Sequence, residues 1–392
     1  MVTTTQISHD VAAIKDETIA LRRQFHQIPE LAFEEAKTAD LIATKLRELK
    51  LPVKQGIGKT GVLGWLDGAK PGKTLMMRAD MDALPLSEPQ DRPYRSTIEN
   101  RNHACGHDMN MALLLGTAKV LAAKRDRIAG RVAFVFQPAD EPQIGARSMI
   151  EAGLLKEVKP DFILSHHPMD IPAGKVVAQA GPLWASADVL KLIIKGDRGD
   201  FSLPESGTDA ALMAAEVVTS LYAAVHRHSP PMEPVMFRVQ SIQTQMGPGT
   251  DPPQAEVRMR LATFNRKVQA SLMKRIEQLI AGTVSAMGGT FTLENTHSLP
   301  PIINDPAVAS AVIAAANHVV GAQNVIQDWR NYFSDDLALF FEAAPGCLFL
   351  LGTQAPTKGI TGRQHRPEYD IDEDTLAIGV EIMSRSALEL LK

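Results

Sequence analysis

The sequence predicts an α/β fold: a mostly parallel sheet whose chain is interrupted by an inserted ferredoxin-like β-α-β-β-α-β domain. Three observations lead there. At 392 residues the chain exceeds one ordinary hydrophobic core, so two domains are expected. Early in the chain, short apolar runs ending in polar clusters alternate with helical stretches, the pattern of strands buried on both faces. From Leu183 the order becomes strand, helix, strand, strand, helix, strand. The expected division is residues 1–182 and 298–392 as one discontinuous domain, with residues 183–297 as the insertion, a length ordinary for a domain.

Asp16 to Leu49 reads as helical, with apolar residues three and four apart through Leu21, Phe25 and Ile28, then Ala39, Ile42 and Leu46. Pro29 divides it into two helices. His26, in the first, reads as part of a polar helix face. Thr74 to Met77 leads into Arg78-Ala79-Asp80-Met81-Asp82, Arg131 to Phe136 into Gln137-Pro138-Ala139-Asp140-Glu141, Phe162 to Leu164 into Ser165-His166-His167, and Cys347 to Leu351 into Gly352-Thr353. Helical stretches Met111 to Lys124 and Ala146 to Leu155 lie between the first three runs. Ligands of such sheets sit beyond the carboxyl ends of the strands, and three runs deliver carboxylates or histidines to that edge. In the insertion, strands are expected at Ala187–Ile194, Val235–Ile242, Ala255–Phe264 and Thr290–Glu294, and helices at Ala210–Val225 and Val268–Ala281. The chain then returns through helix Pro306–Val320 and the cluster Trp329 to Asp336 to His365.

Hydrophobic content of 45% and charged content of 22% are those of a soluble globular chain. A net charge of −4 leaves no electrostatic footprint for nucleic acid, and no apolar run reaches the roughly 18 residues of a membrane span. Met1 to Asp10 lacks the apolar core of a signal peptide. Cys105 and Cys347 are too far apart in the chain to suggest a disulfide framework. A cytoplasmic, reducing location is expected, with neither nucleic acid nor membrane as partner.

The stretch richest in chemistry is His103-Ala104-Cys105-Gly106-His107-Asp108. Gly106 lets the backbone turn so that the side chains of Cys105 and His107 can face one point. A soft sulfur and a borderline nitrogen suit Zn²⁺ or a similar transition metal. Cysteine and histidine also occupy ordinary cores, so this stretch alone leaves both readings open.

Taken with Arg78-Ala79-Asp80-Met81-Asp82-Ala83-Leu84-Pro85, Phe136-Gln137-Pro138-Ala139-Asp140-Glu141 and the late His365, the stretch resembles the amidohydrolase branch of the aminoacylase-type metallopeptidases. That branch includes hippurate hydrolases, N-acyl-amino-acid amidohydrolases and indole-acetyl-amino-acid hydrolases. The resemblance runs from Arg22 to Asp374. It implies metal ligands Cys105, His107, Glu141, His166 and His365, with His166 chosen over His167 by its spacing to Pro172-Ala173-Gly174. It implies that Asp82 orients the metal shell and that Asp140 is the general base toward water. One or two divalent transition ions are implied, Mn²⁺ or Zn²⁺ first and Co²⁺ or Fe²⁺ after them. The inserted domain is implied to be a lid that supports dimerisation, making the protein a homo-oligomer acting on a small molecule.

The chain departs from that pattern in several places. Asp140 stands where the family has Glu, setting the carboxylate back by about 1.5 Å. Pro142-Gln143-Ile144-Gly145 replaces a glycine-rich run, and Asn110 replaces a histidine. Gly199-Asp200-Phe201-Ser202-Leu203-Pro204-Glu205 replaces a histidine-bearing segment that steadies an amide oxyanion, and Gly249 replaces an asparagine. An ionised Asp200 would repel that developing charge. The expectation is therefore a metal-dependent hydrolase of a C–N bond in a small carboxylate-bearing molecule. The specific expectation is hydrolytic deamination of an electron-poor aromatic amine such as 5-nitroanthranilate, a reaction known in this family. Asp200, Glu205 and Asn110 are expected to contact that substrate. The alternatives are an N-acyl-amino-acid or hippurate-type amidohydrolase and, from another class, a non-catalytic metal-dependent binding protein.

Overall fold

A computed structural model describes residues 7–89, 92–200, 202–245 and 252–392. The chain forms two compact units, one of Met1–Gly181, Ile303–Trp329 and Asp336–Lys392, the other of Pro182–Ile302 and Arg330–Asp335.

The first unit opens with helices α1 (His9–Gln27) and α2 (Ala36–Glu48), separated at Pro29 as the sequence predicts. Strands β1 (Val53–Ile57), β2 (Gly61–Asp67) and β3 (Lys70–Asp80) follow, then helix α3 (His107–Ala123), strand β4 (Ala129–Gln137), helices α4 (Gly145–Glu151) and α5 (Leu154–Val158), and strands β5 (Phe162–Pro172) and β6 (Val176–Val177). After short strand β7 (Gly181–Trp184) the second unit contributes β8 (Ala187–Lys195), α6 (Ala210–His228), β9 (Val235–Gln245), β10 (Gln254–Thr263), α7 (Arg266–Ala286) and β11 (Thr290–Leu299). The chain passes through β12 (Ile302–Asn304) and returns as α8 (Pro306–Val320), β13 (Val325–Ile326), α9 (Leu337–Phe340), β14 (Gly346–Gln354) and α10 (Asp374–Leu390).

The sheet of the first unit runs β1-β2-β4-β3-β5-β14-β6-β13. Its centre is parallel: β4 with β3, β3 with β5, and β5 with β14. The β1–β2 and β2–β4 pairs at one side are antiparallel, so the sheet is mixed and mostly parallel. The apolar runs at the ends of β3, β4 and β14 are fully buried, as a sheet covered on both faces requires. Helix α3 is buried around nearly its whole circumference, which its continuous apolar sequence permits, and it packs against α1 and α10.

The second unit carries an antiparallel sheet in the order β11-β8-β10-β9, with α6 and α7 packed on it. Its core, built on Leu190, Leu192, Val217, Val257 and Ile276, is separate from that of the first unit. This is the β-α-β-β-α-β order read from the sequence. Among the described residues no helix is long and apolar enough to cross a membrane.

Candidate metal centre

Three chain reversals bring the donors together. The first follows β3. Asp82 is buried, and its carboxylate accepts the backbone N–H groups of Asp140 and Glu141, each at 3.0 Å, while its carbonyl oxygen lies 2.8 Å from His107 Nδ1. That contact fixes the imidazole with Nδ1–H donating and Nε2 turned inward. Asp82 Oδ1 also lies 3.4 Å from the same nitrogen, so the carbonyl and the carboxylate of Asp82 both face the imidazole, and the carboxylate shapes the neighbouring turn as well.

That second reversal, residues 138–145, is strained. Ala139 and Gln143 take positive φ of 51° and 57°. A side chain on Gly145 would fall 1.6 Å from the Pro138 carbonyl oxygen. Glu35 accepts the N–H of Ala139 at 2.9 Å, so buried carboxylates hold three successive amides of the reversal.

The third is the start of α3. Gly106 stands before its first turn at φ 85°, and a Cβ there would lie 2.7 Å from Pro168 and 2.9 Å from the Tyr369 hydroxyl. Both its backbone conformation and its neighbours demand glycine. Cys105 Sγ then faces His167 Nε2 at 3.7 Å and His365 Nε2 at 3.2 Å. His365 is itself at φ 61°, lies 3.6 Å from Glu141 Oε2, and has a side chain 55% exposed.

Two donor sets share the sulfur: Cys105, His107 and His167, and Cys105, Glu141 and His365, each with ligand atoms within 4.8 Å of one another. His107 Nε2 and Glu141 Oε1 are buried without a hydrogen-bond partner. Orphaned buried acceptors aimed at one point are what a cation would satisfy, so the residues fit a metal. Burial pushes the Cys105 thiol up, with the Glu141 charge adding to it, and burial pushes the Glu141 carboxyl up to about 8. Binding a cation to these groups therefore releases protons.

Four of the five ligands implied by the resemblance meet here: Cys105, His107, Glu141 and His365. His166 does not, and His167 takes its place. Successive residues of a strand face opposite sides, and in the register of β5 against β14 the side of His166 is that of the Phe349 ring, 6.1 Å away. Both ring nitrogens of His166 are buried, and burial depresses its pKa to about 3.

Asp140 lies beside the cluster, with Oδ2 3.7 Å from His107 Nε2 and Oδ1 hydrogen-bonded by Arg78 Nη2. Asn110 is fully buried and donates to Asp80 Oδ1 at 2.6 Å, so it holds a carboxylate where a substrate contact is expected. Asp200 and Glu205 lie on an exposed loop of the second unit, where Asp200 Oδ1 accepts the N–H and hydroxyl of Ser202 at 2.8 and 2.6 Å. Gly249 lies outside the described residues.

Sequence reasoning also misses a buried ionic network around α1. His26, read as a solvated face, is fully buried; its Nδ1 lies 2.7 Å from Asp108 and its Nε2 2.8 Å from Glu88. Arg22 is buried beside it, 2.7 Å from Asp108 and 3.0 Å from Asp370. The one available signal is Asp108 itself, a carboxylate directly after a candidate ligand histidine at the start of a mostly apolar helix.

Comparison with known proteins gives the family. Residues 76–389 match the family model described as peptidase family M20/M25/M40. The chain is 32% identical over 381 residues to a protein of Saccharolobus solfataricus named thermostable carboxypeptidase 1, covering 95% of each. It is 30% identical over 381 residues to the N-acetylcysteine deacetylase of Bacillus subtilis, covering 97% of this chain and 98% of that one. Among solved structures, the Bacillus subtilis YXEP protein, described as a dinuclear metal binding peptidase from the M20 family, superposes with a TM-score of 0.83. The two are 28% identical, over 97% of this chain and 99% of that one. The chain therefore belongs to peptidase family M20/M25/M40 and is a metal-dependent hydrolase of C–N bonds.

Proposed function

We propose that the protein hydrolyses the amide bond of N-acyl amino acids or short peptides, at a centre whose donor residues would hold two divalent ions. The observation that carries this reading is the pair of donor sets meeting at Cys105. The names of the two relatives add support. A carboxypeptidase and an N-acetylcysteine deacetylase both act on an amide whose nitrogen belongs to an amino acid with a free carboxylate.

Cys105, His107 and His167 would hold one ion in this reading, and Cys105, Glu141 and His365 the other. Such ions supply Lewis acidity and lower the pKa of water at neutral pH. Asp140 Oδ2, the oxygen on the His107 side, takes the proton from the attacking water. As water adds to the carbonyl carbon and the C–N bond breaks, Asp140 returns that proton to the leaving nitrogen. Sulfur and imidazole donors suit Zn²⁺, Co²⁺, Mn²⁺ or Fe²⁺, with availability deciding among them.

This reading is preferred to deamination of 5-nitroanthranilate. That expectation rests on the loss of amide-specific stabilisers at Asp200 and Gly249, with Asp200 or Glu205 holding the amino group instead, and Asp200 Oδ1 is engaged by Ser202 of its own turn. Neither relative's name describes such a reaction. The test is a side-by-side assay of metal-loaded protein on N-acetyl amino acids, hippurate, dipeptides and 5-nitroanthranilate. Release of free amino acid from an acyl compound is expected. Ammonia from 5-nitroanthranilate, with every amide left intact, would overturn the proposal.

A further inference from the structure

We propose that Arg78 is a positioning residue that keeps two carboxylates, Asp80 and Asp140, from becoming metal ligands, and so reserves His107 for the set that contains Cys105. The inference rests on the assignment of His107 as a metal ligand and concerns a third donor set, Asp80, His107 and Asp140, whose ligand atoms also lie within 4.8 Å of one another. His107 Nε2 is 3.8 Å from Asp80 Oδ1 and 3.7 Å from Asp140 Oδ2. By geometry alone this set competes with Cys105 and His167 for the same nitrogen.

Arg78 separates the two outcomes. It is fully buried, and its guanidinium reaches Asp80, Asp140 and Gln137, with Asp336 Oδ1 3.8 Å from Nη2. Nη1 donates to Asp80 Oδ2 at 2.8 Å, Nη2 donates to Asp140 Oδ1, and Nε donates to Gln137 Oε1 at 3.0 Å. Each carboxylate thus has one oxygen bound and its charge offset by a cation already in place. The remaining oxygen of Asp80, the one 3.8 Å from His107 Nε2, accepts from Asn110 at 2.6 Å, while Asp140 Oδ2 faces the same nitrogen at 3.7 Å. Gln137 cannot turn its amide around, because its Nε2 donates to Asp336 Oδ1 at 2.6 Å and the other oxygen of Asp336 takes the Ala146 N–H at 2.7 Å. The guanidinium is therefore held in one orientation from behind.

A planar fork with five fixed donors does this; a lysine ammonium has no such geometry. Removing the guanidinium would strip two buried carboxylates of the cation hydrogen-bonded to both, a costly state. They would relieve it by capturing a divalent ion together with His107. An oxygen-rich set also changes the character of the site, from one suited to borderline ions toward one suited to harder ions.

The test is titration of the chelator-treated full chain with Co²⁺ and Mn²⁺, followed by calorimetry and by the visible spectrum of bound Co²⁺. The proteins are wild type, Arg78→Met, Arg78→Lys and the double variant Arg78→Met with Asp140→Asn. In Arg78→Met, Mn²⁺ affinity is expected to rise roughly tenfold, with weaker visible Co²⁺ absorption as oxygen ligands are added. The double variant is expected to lose that gain, because the competing set is then left with Asp80 as its one carboxylate beside His107. A merely structural role for Arg78 would not restore wild-type metal binding when a second residue is changed. Wild-type affinity and spectrum in Arg78→Met would overturn the proposal. Should that variant fail to fold, Arg78→Lys decides: part of the gain supports the proposal, and wild-type metal behaviour overturns it. The readout needs no turnover, so a wild type that binds Co²⁺ but cleaves no amide would overturn the substrate reading and leave this one standing.

Discussion

Cys105 and His107 announce themselves within six residues of sequence, but the choice between His166 and His167 does not. The two are adjacent on β5, and a one-residue shift of register exchanges the faces they occupy. Only pairing with β14 and β3 settles which one reaches Cys105. His167→Ala is therefore expected to lower metal affinity by at least roughly tenfold, while His166→Ala leaves it unchanged. Metal content after equilibrium dialysis checks this, and a larger loss in His166→Ala would reverse the assignment. Asp140 raises the second question at this scale. Its carboxylate is shorter than the glutamate of the resemblance, yet Oδ2 still reaches the His107 side. Asp140→Asn is expected to reduce turnover by about 10²–10⁴-fold with metal content intact. Near-normal turnover in that variant would remove Asp140 as the base. The sequence hides Arg78 in a different way, because nothing in one chain says that residues 78, 137, 140 and 336 share one hydrogen-bonded array.

At the scale of elements, the strongly periodic segments are legible. The break at Pro29, the buried strands β3 and β4 and the helix α3 follow from spacing and apolar runs. Strand β1 is short and largely exposed and β2 carries two glycines, so neither gives a clear period. The helix that sequence reading mistakes in character is α1, because burial of its polar residues depends on partners far along the chain. His26 faces Asp108 and Glu88 through hydrogen bonds, with Arg22 at 3.4 Å and the Tyr94 and His103 rings 5.6 and 6.4 Å away. Burial and the Arg22 charge push its pKa down, but the two carboxylates outweigh them and the net shift is upward. A group whose folded pKa lies above its unfolded value contributes fully below about 6.5, and that contribution fades as pH rises through the folded value. Wild type is expected to exceed His26→Asn in stability by about 2 kcal/mol at pH 6, with a smaller margin at pH 9. Urea denaturation at both pH values gives that margin, and a constant or widening one would show that His26 is neutral in the folded protein.

At the scale of the whole molecule, the two units differ in what a metal can do for them. Sequence reading places the insertion at residues 183–297, whereas the second unit comprises Pro182–Ile302 together with Arg330–Asp335. No periodicity marks a six-residue return of that kind, since it is defined by contacts such as Ala185 N–H with the Phe333 carbonyl at 2.8 Å and the Trp184–Phe333 ring pair. Cys105, His107, Glu141, His167 and His365 all belong to the first unit, and they draw on segments up to 260 residues apart. An ion bound there requires that unit to be folded and makes no such demand on the second, whose core is its own. Ligand that binds only the folded state stabilises it by about 2.7 kcal/mol at a hundred times its dissociation constant. For a unit of this size that corresponds to roughly 5–10 °C in midpoint. Calorimetry of the full chain is therefore expected to resolve two transitions, with a chelator lowering one by that amount and leaving the other in place. A single transition that moves as a whole would show that the two units unfold together, and two transitions that both ignore the chelator would show that no ion bridges the residues gathered around Cys105.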